Sequence, residues 1–479
     1  MGDYPRGFYI DGAWVEPADR PVAKVFNPAT EQPISDILLA NEQDVNDAVA
    51  AAKRAFATFQ FSSKAERLAL LGKLLAAMEK RVDDFALAIS AEMGAPIDLA
   101  KTVHTEYVGL GRLTETISAL ERFEEVATTS SGRTQVVHQP IGVCALITPW
   151  NWPLNQIAQK LFPALATGCT VILKPSTLSP LDAAIMAECI DEAGFPKGVF
   201  NLLQGAGSKI GDALSSHPEV GMISLTGSTR AGAAVMENAA GQIKRVSLEL
   251  GGKSPNVVFS NADLDAAAAW GVQRVMMNSG QTCTAPTRML VERSVYDDVV
   301  DKVKATCDTI EVGNPADHGA HMGPVVSKGQ FDTIQKYIQI GIDEGAKLVA
   351  GGTGKPAGKE TGHYVKPTVF ADVRNDMAIA QEEIFGPVLA IIPFETEEEA
   401  ILIANDSPFG LAANVFSADP DQARRVARRL DAGMVSVNGN SQGLDAPFGG
   451  FKQSGIGREG SDWGLEDFTE VKSVTGVEM

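Results

Sequence analysis

Ile141-Gly142-Val143-Cys144-Ala145-Leu146-Ile147 is an unbroken apolar run that begins just after Pro140. A strand with one face in water alternates apolar and polar side chains. A run without alternation suits a parallel strand covered on both faces. Outward from it the chain repeats one theme. Val171-Ile172-Leu173 reads as a strand followed by Lys174-Pro175-Ser176, and residues 180–193 read as a helix. Val199-Phe200-Asn201-Leu202-Leu203 reads as the next strand, and a further helix leads to Met222-Ile223-Ser224-Leu225 and then to Gly227. This alternation predicts a doubly wound α/β domain.

Upstream, Asp11-Gly12 between Phe8-Tyr9-Ile10 and Ala13-Trp14-Val15 signals a hairpin. Asn27-Pro28-Ala29-Thr30 reads as a turn, and helix is expected from about Asp44. In that region Leu68, Leu71, Leu74, Leu75, Met78 and Val82 recur at helical spacing. Helix continues to about Gly94 and again from Ile97 to Phe123, and Thr134 to His138 alternates like a strand. After Gly251-Gly252 a second α/β region is expected. Its strands are Val257–Phe259, Thr287–Val291, Lys347–Val349, Val388–Ile392 and Met434–Val437. The tail from Thr469 to Val477 alternates again and is expected to form an edge strand that pairs with another subunit.

The chain has 479 residues, too many for one core, so two or three domains are expected. With 41 basic and 60 acidic residues the net charge is -19, a surface that repels nucleic-acid backbones. No apolar run is long enough to span a membrane, and the N-terminus lacks a signal-peptide pattern. The five cysteines are odd in number and contain no CxxC, which suggests no disulfide framework and fits a reducing cytoplasm. His318 and His321 are close together but have no cysteine or carboxylate cluster around them, so no metal site is expected.

Two loops suit a dinucleotide pyrophosphate. Gly205-Ala206-Gly207-Ser208-Lys209-Ile210-Gly211 misses the G-x-G-x-x-G pattern by one residue. Gly227-Ser228-Thr229-Arg230-Ala231-Gly232 follows an apolar strand and should open a helix, whose first amides suit an anion. Gly252-Lys253-Ser254 resembles the end of a nucleoside-triphosphate loop, but the glycine needed five residues earlier is Ser247. Among the cysteines, Cys283 stands apart. It lies in Asn278-Ser279-Gly280-Gln281-Thr282-Cys283-Thr284-Ala285-Pro286, a polar, turn-like stretch where a thiol can be reached and ionised. The alternative is a buried structural thiol.

Five stretches in order make the reading specific. They are Pro149-Trp150-Asn151-Trp152-Pro153, Leu248-Glu249-Leu250-Gly251-Gly252-Lys253-Ser254-Pro255, Gly280-Gln281-Thr282-Cys283, Glu382-Glu383-Ile384-Phe385-Gly386-Pro387 and Pro447-Phe448-Gly449-Gly450-Phe451-Lys452-Gln453-Ser454-Gly455. From about Asn27 to Val474 the chain resembles the aldehyde dehydrogenase superfamily. The resemblance implies two doubly wound α/β domains, a Rossmann-like cofactor domain and a catalytic domain, plus a small β oligomerisation element. On that reading residues 1–119 and 140–251 bind NAD and/or NADP, 252–450 form the catalytic domain, and 120–139 with 466–479 join subunits into a homodimer or homotetramer. It implies oxidation of a small-molecule aldehyde to its carboxylic acid.

That chemistry asks for a nucleophile, an oxyanion donor, a hydride acceptor and a base for water. The resemblance assigns Cys283 as nucleophile, Asn151 as oxyanion donor and Glu249 as base for hydrolysis of the thioester. Glu383 resembles the residue that holds the nicotinamide ribose, Phe385 the aromatic packed near that ring, and Lys174 the lysine that reaches the adenine ribose. Gly207, Gly227 and Ser228 resemble pyrophosphate and adenosine contacts, and Ile147, Trp150, Thr177 and Leu250 complete the expected cofactor set. Thr177 departs from the glutamate common in relatives. That change removes repulsion of a 2′-phosphate, so NADP use is expected alongside NAD. Asn155, Gln156 and Gln159 follow the tryptophan motif where relatives are often more apolar, and suggest a polar tunnel for a hydroxylated or oxo-substituted aldehyde. Gln442 and Phe448 are expected to contribute to it. The rival readings are a CoA-acylating dehydrogenase, a cysteine esterase without redox chemistry, and a noncatalytic protein on the same fold.

Overall fold

The structure is a computed structural model that describes residues 4–476. Val143–Ile147 lies inside an eight-stranded sheet and is buried along its whole length. Its side chains alternate between two cores. Cys144 and Leu146 join one, with Leu173, Leu202 and the helix Pro153–Thr167. Val143, Ala145 and Ile147 join the other, with Ile172, Ile223 and the helix Glu42–Phe59. Both faces are therefore covered, and the run has no polar side chain because neither face meets water.

The parallel strands of this sheet stand in the order Phe200–Leu202, Thr170–Lys174, Val143–Ile147, Met222–Thr226, Arg245–Glu249. The hairpin Phe8–Ile10/Ala13–Val15 adds at one edge and Gly455–Ile456 at the other. Strand order reverses between Val143–Ile147 and Met222–Thr226. The crevice beyond their carboxyl ends is where doubly wound sheets bind ligands. The loops that begin there carry Trp150 and Asn151 from one strand and Gly227 and Ser228 from the other.

A second, seven-stranded sheet runs Lys347–Ala350, Thr368–Ala371, Val388–Phe394, Arg288–Glu292, Pro255–Val258, Ala412–Phe416, Met434–Val437. All its pairs are parallel except the first, which is antiparallel. Thr368–Ala371 and Ala412–Phe416 lie outside the expected strands, as does Arg245–Glu249 in the first sheet. The chain leaves the first sheet at Glu249 and enters the second at Pro255. The crevice is therefore bounded by strand ends of one sheet and strand beginnings of the other.

The tail strand Thr469–Thr475 pairs antiparallel with Thr134–Pro140 of the same chain, which in turn pairs with Val126–Thr128. It stands at an edge of this three-stranded sheet, with Val471 exposed. Residues 477–479 of the expected oligomerisation tail, and residues 1–3, lie outside the described residues. The helix expected from Ile97 to Phe123 contains a π-helical segment, Ala100–Leu110. Among the described residues no helix is long and apolar enough to cross a membrane, and no His/Cys/Asp/Glu group suits a metal ion.

Candidate active site

In the crevice lies a cavity of about 250 Å³ lined by Trp150, Asn151, Ser228, Leu250, Cys283, Glu383 and Phe385, with Gly227 and Gln330 among its other walls. Five loops distant in sequence thus meet on one space. Trp150 and Phe385 stand edge to face, with ring centroids 5.4 Å apart. Phe385 has a positive φ of 56°, rare for a bulky residue. Gln330 secures that turn by donating from Nε2 to the Phe385 carbonyl at 2.8 Å and the Ile384 carbonyl at 3.2 Å. Glu383 Oε1 accepts the Gly252 N–H at 3.0 Å. Burial raises the Glu383 carboxyl to about 7, opposed by that N–H and by Lys253.

The loop before Cys283 is held in an unfavourable backbone shape. Asn278, Ser279 and Gly280 have φ of 54°, 57° and 73° in succession. Each non-glycine left-handed residue costs roughly 1–2 kcal/mol. Hydrogen bonds fix the shape: Ser279 Oγ donates to the Gly323 carbonyl (2.8 Å), Gln281 Nε2 to the Asn278 carbonyl (3.1 Å), and Val326 N–H to Gln281 Oε1 (2.9 Å). The same network binds the loop to the tryptophan motif. Asn278 Nδ2 donates to the Asn151 carbonyl at 2.7 Å, and Asn151 Nδ2 donates to the Gln281 carbonyl at 3.1 Å. Trp152 Nε1 donates to Thr282 Oγ1 at 3.0 Å, and its ring stacks on buried His104 of the π-helical segment at 4.0 Å. Asn151 Nδ2 has two protons. One is taken by Gln281, and the other is available to an oxygen in the cavity.

The glycines of the motifs are contact points between them. A Cβ on Gly252 would sit 2.3 Å from the Cys283 carbonyl oxygen. A Cβ on Gly251 would sit 2.3 Å from Glu383 Oε2, and one on Gly280 2.1 Å from the Gly386 backbone. Bare backbone lets these loops close on one another. Cys283 is partly exposed while Cys144, Cys169, Cys189 and Cys307 are buried. Enclosure by protein, then the Glu383 and Glu249 carboxylates, push the Cys283 thiol up, against the backbone N–H groups of Cys283 and Thr284. The resting group is a thiol, and attack requires a base to take its proton.

Glu249 ends the strand Arg245–Glu249 and is 2% exposed. Neither of its carboxyl oxygens has a hydrogen-bond partner among the described residues. Its Oε1 lies where a Cβ on Gly449 would come within 2.6 Å. Burial, then Glu459, push its carboxyl well above the ordinary range, while Lys160 and Arg458 oppose. Lys160 is fully buried, paired with Glu459, and donates to Ser224 Oγ at 3.1 Å. Sequence reasoning missed Lys160 and Glu459. A lysine within the otherwise buried helix Pro153–Thr167 was the available signal. It also missed Gln330, which carries no distinctive local pattern.

Ile147, Lys174, Thr177 and Gly207 do not line the cavity. Ile147 and Lys174 end adjacent strands of the first sheet. Lys174 Nζ donates to the Pro175 carbonyl at 2.9 Å, and burial lowers its pKa to about 8. Thr177 is half-buried in the loop beyond, and Gly207 is exposed with nothing within 4 Å of a Cβ. The chain's carboxyl-end crevice, two aromatic walls and Glu383 with one oxygen uncommitted to a hydrogen bond fit a nicotinamide dinucleotide.

A second cavity, of about 270 Å³, is lined by Thr284, Pro286, Gln442 and Phe448, beside the nucleophile's loop. The expectation that Asn155, Gln156 and Gln159 line a polar tunnel needs correction. Gln156 and Gln159 are each 2% exposed, and none of the three lines either cavity. The helix Pro153–Thr167 packs into the core here, so its polar side chains are enclosed rather than presented to solvent.

Residues 14–474 match the model of the Aldehyde dehydrogenase family. A 3-succinoylsemialdehyde-pyridine dehydrogenase from a Pseudomonas species is 49% identical over 100% of both chains. A crystal structure of an aldehyde dehydrogenase from Bartonella henselae superposes with TM-score 0.97 at 47% identity, covering 98% of this chain and 99% of the other. Aldehyde dehydrogenase C from Pseudomonas syringae, a cysteine-to-alanine mutant in complex with NAD+ and octanal, has TM-score 0.97 at 44% identity, covering 98% and 97%.

Proposed function

The chain belongs to the aldehyde dehydrogenase family, and from that premise we propose how its residues oxidise an aldehyde to a carboxylic acid with a nicotinamide cofactor. Cys283 Sγ attacks the carbonyl carbon, and its proton passes to a base. The carbonyl oxygen becomes an alkoxide, which the free Nδ2 proton of Asn151 and the backbone N–H of Cys283 stabilise. Removing one such donor typically costs ~100-fold or more in rate. Glu383, Trp150 and Phe385 would hold the nicotinamide end of NAD(P), which when bound supplies the hydride acceptor. The thioester left on Cys283 is hydrolysed by water that Glu249 deprotonates. A buried carboxyl with a raised pKa is a stronger base than one in water. The nearby Lys160–Glu459 pair sets the charge around it, Glu459 raising its pKa and Lys160 opposing that rise.

The observation that carries this reading is the meeting of Cys283, Asn151 and Glu383 on one cavity, with Glu249 buried, without a hydrogen-bond partner, and near enough for its charge to raise the Cys283 thiol. A Glu249→Gln variant should release a burst of NADH and then stall. Full steady-state turnover of that variant without CoA would remove the base assignment. Release of acyl-CoA instead of acid by the wild type would favour the CoA-acylating alternative.

Finer features complete the proposal. Thr177 supports use of NADP beside NAD, and absence of turnover with millimolar NADP would overturn this. Residues 1–119 with 140–251 serve as the cofactor domain and 252–450 as the catalytic domain. The strands within 120–139 and 466–479, with the unpaired edge at Thr469–Thr475, join subunits into a homodimer or homotetramer. The odd, unpaired cysteine set fits the cytoplasm.

A further inference from the structure

We propose that Arg112 and Arg274 form a site for an anionic group on the substrate, so that the enzyme acts on aldehydes carrying a carboxylate, such as the semialdehydes of short dicarboxylic acids. This rests on the aldehyde-oxidation reading above. Both arginines line the second cavity, together with Thr284, the neighbour of Cys283, and Phe448. Arg112 stands in the first turn of the helix Gly111–Arg122, and Arg274 in the last turn of the helix Leu264–Met276. They thus come from two separate helices onto one space.

Neither guanidinium has a carboxylate partner among the described residues. Arg112 Nη1 donates to the Leu444 carbonyl at 2.8 Å, and its Nε is buried without any hydrogen bond. Arg274 reaches only the Met277 sulfur at 3.9 Å and the Trp270 ring at 5.9 Å. Of the carboxylates that act on Arg112 from nearby, Glu115 pairs with Arg122, and Glu459 pairs through Oε1 with Lys160 and makes no hydrogen bond to Arg112, its Oε2 having no partner among the described residues. A partly enclosed guanidinium without a counter-charge is disfavoured, and a carboxylate with fork geometry supplies the missing partner. Two such groups on the cavity beside the nucleophile select a substrate with its charge at one end and its carbonyl at the other.

The test compares succinic semialdehyde with butanal on the wild-type enzyme with NAD, then on Arg112→Gln and Arg274→Gln. The wild type should favour the aldehyde acid in kcat/KM. Each substitution should lower that preference by ~30-fold or more, as loss of one partner of a desolvated charge pair does. The loss should appear in KM rather than kcat, and Arg112→Lys and Arg274→Lys should restore part of it. Turnover of butanal with no preference for the acid, or a preference unchanged in both glutamine variants, overturns this site alone. No turnover of either aldehyde and no NADH burst overturns the reading beneath it as well.

Discussion

Replacing Gly252 by alanine should separate the geometry of the nucleophile from the binding of cofactor. The added Cβ would stand 2.3 Å from the Cys283 carbonyl oxygen, where real contacts do not fall below 3.0 Å. Backbone has to move by at least about 0.7 Å. The Cys283 loop is fixed by its left-handed turn and by hydrogen bonds to Asn151, Gly323 and Val326, so it cannot rotate aside as a side chain would. On the other side Leu411 Cβ lies at 3.3 Å. A misplacement of about 1 Å at the reacting atom costs ~100-fold in rate, and overpacking costs about 1–3 kcal/mol of stability. Gly251→Ala is the matched control. Its Cβ would meet Glu383 Oε2, the free end of a flexible side chain, which can swing away. Stopped-flow measurement of the NADH burst, with KM for NAD, reads both. Gly252→Ala should lower the burst rate by ~100-fold with KM for NAD little changed. Gly251→Ala should mainly raise KM for NAD. A Gly252→Ala enzyme within threefold of the wild-type burst rate, or a larger burst defect in Gly251→Ala, would refute the packing argument.

Lys160→Met leaves Glu459 buried without its cation and should cost about 3–5 kcal/mol of stability, read as a lowered Tm. Lys160 also opposes the rise in the Glu249 pKa, so the acid limb of the kcat–pH profile should move to higher pH. Burial raises the Glu383 carboxyl to about 7, and in its proposed role only the ionised form would accept both hydroxyls of the nicotinamide ribose. KM for NAD should therefore rise as pH falls below 7, by about tenfold per unit, and Glu383→Gln should abolish the dependence. Asp182 is buried beside Glu92, which accepts the Leu181 N–H at 2.9 Å, and burial raises Asp182 to about 8. The folded state then holds a proton that the unfolded chain releases near pH 4. Stability should fall as pH rises from 4 toward 8, and Asp182→Asn should raise Tm by a few degrees at pH 8 and less at pH 5.

What local sequence determined is the fold class and the order of the motifs. The run from Ile141 to Ile147 required cover on two faces, and the alternation after it required parallel strands. Cys283 in a polar turn, and the glycine pairs around it, were likewise legible, because turn chemistry and strand burial are set within a few residues. Strands with buried polar positions were not. Arg-Val-Ser-Leu-Glu at 245–249 lay outside the expected strands, yet it forms one, with Ser247 and Glu249 buried and Gly449 and Gly455–Ile456 packed against it from two hundred residues away. Only the tertiary structure decided which side chains lack partners. It closed Gln156 and Gln159 into the core, set Lys160 and Glu459 beside Glu249, and left Arg112 and Arg274 unpaired on the cavity next to Cys283. Desolvation and pairing depend on every group within a few ångströms, and those groups come from loops that sequence spacing does not bring together.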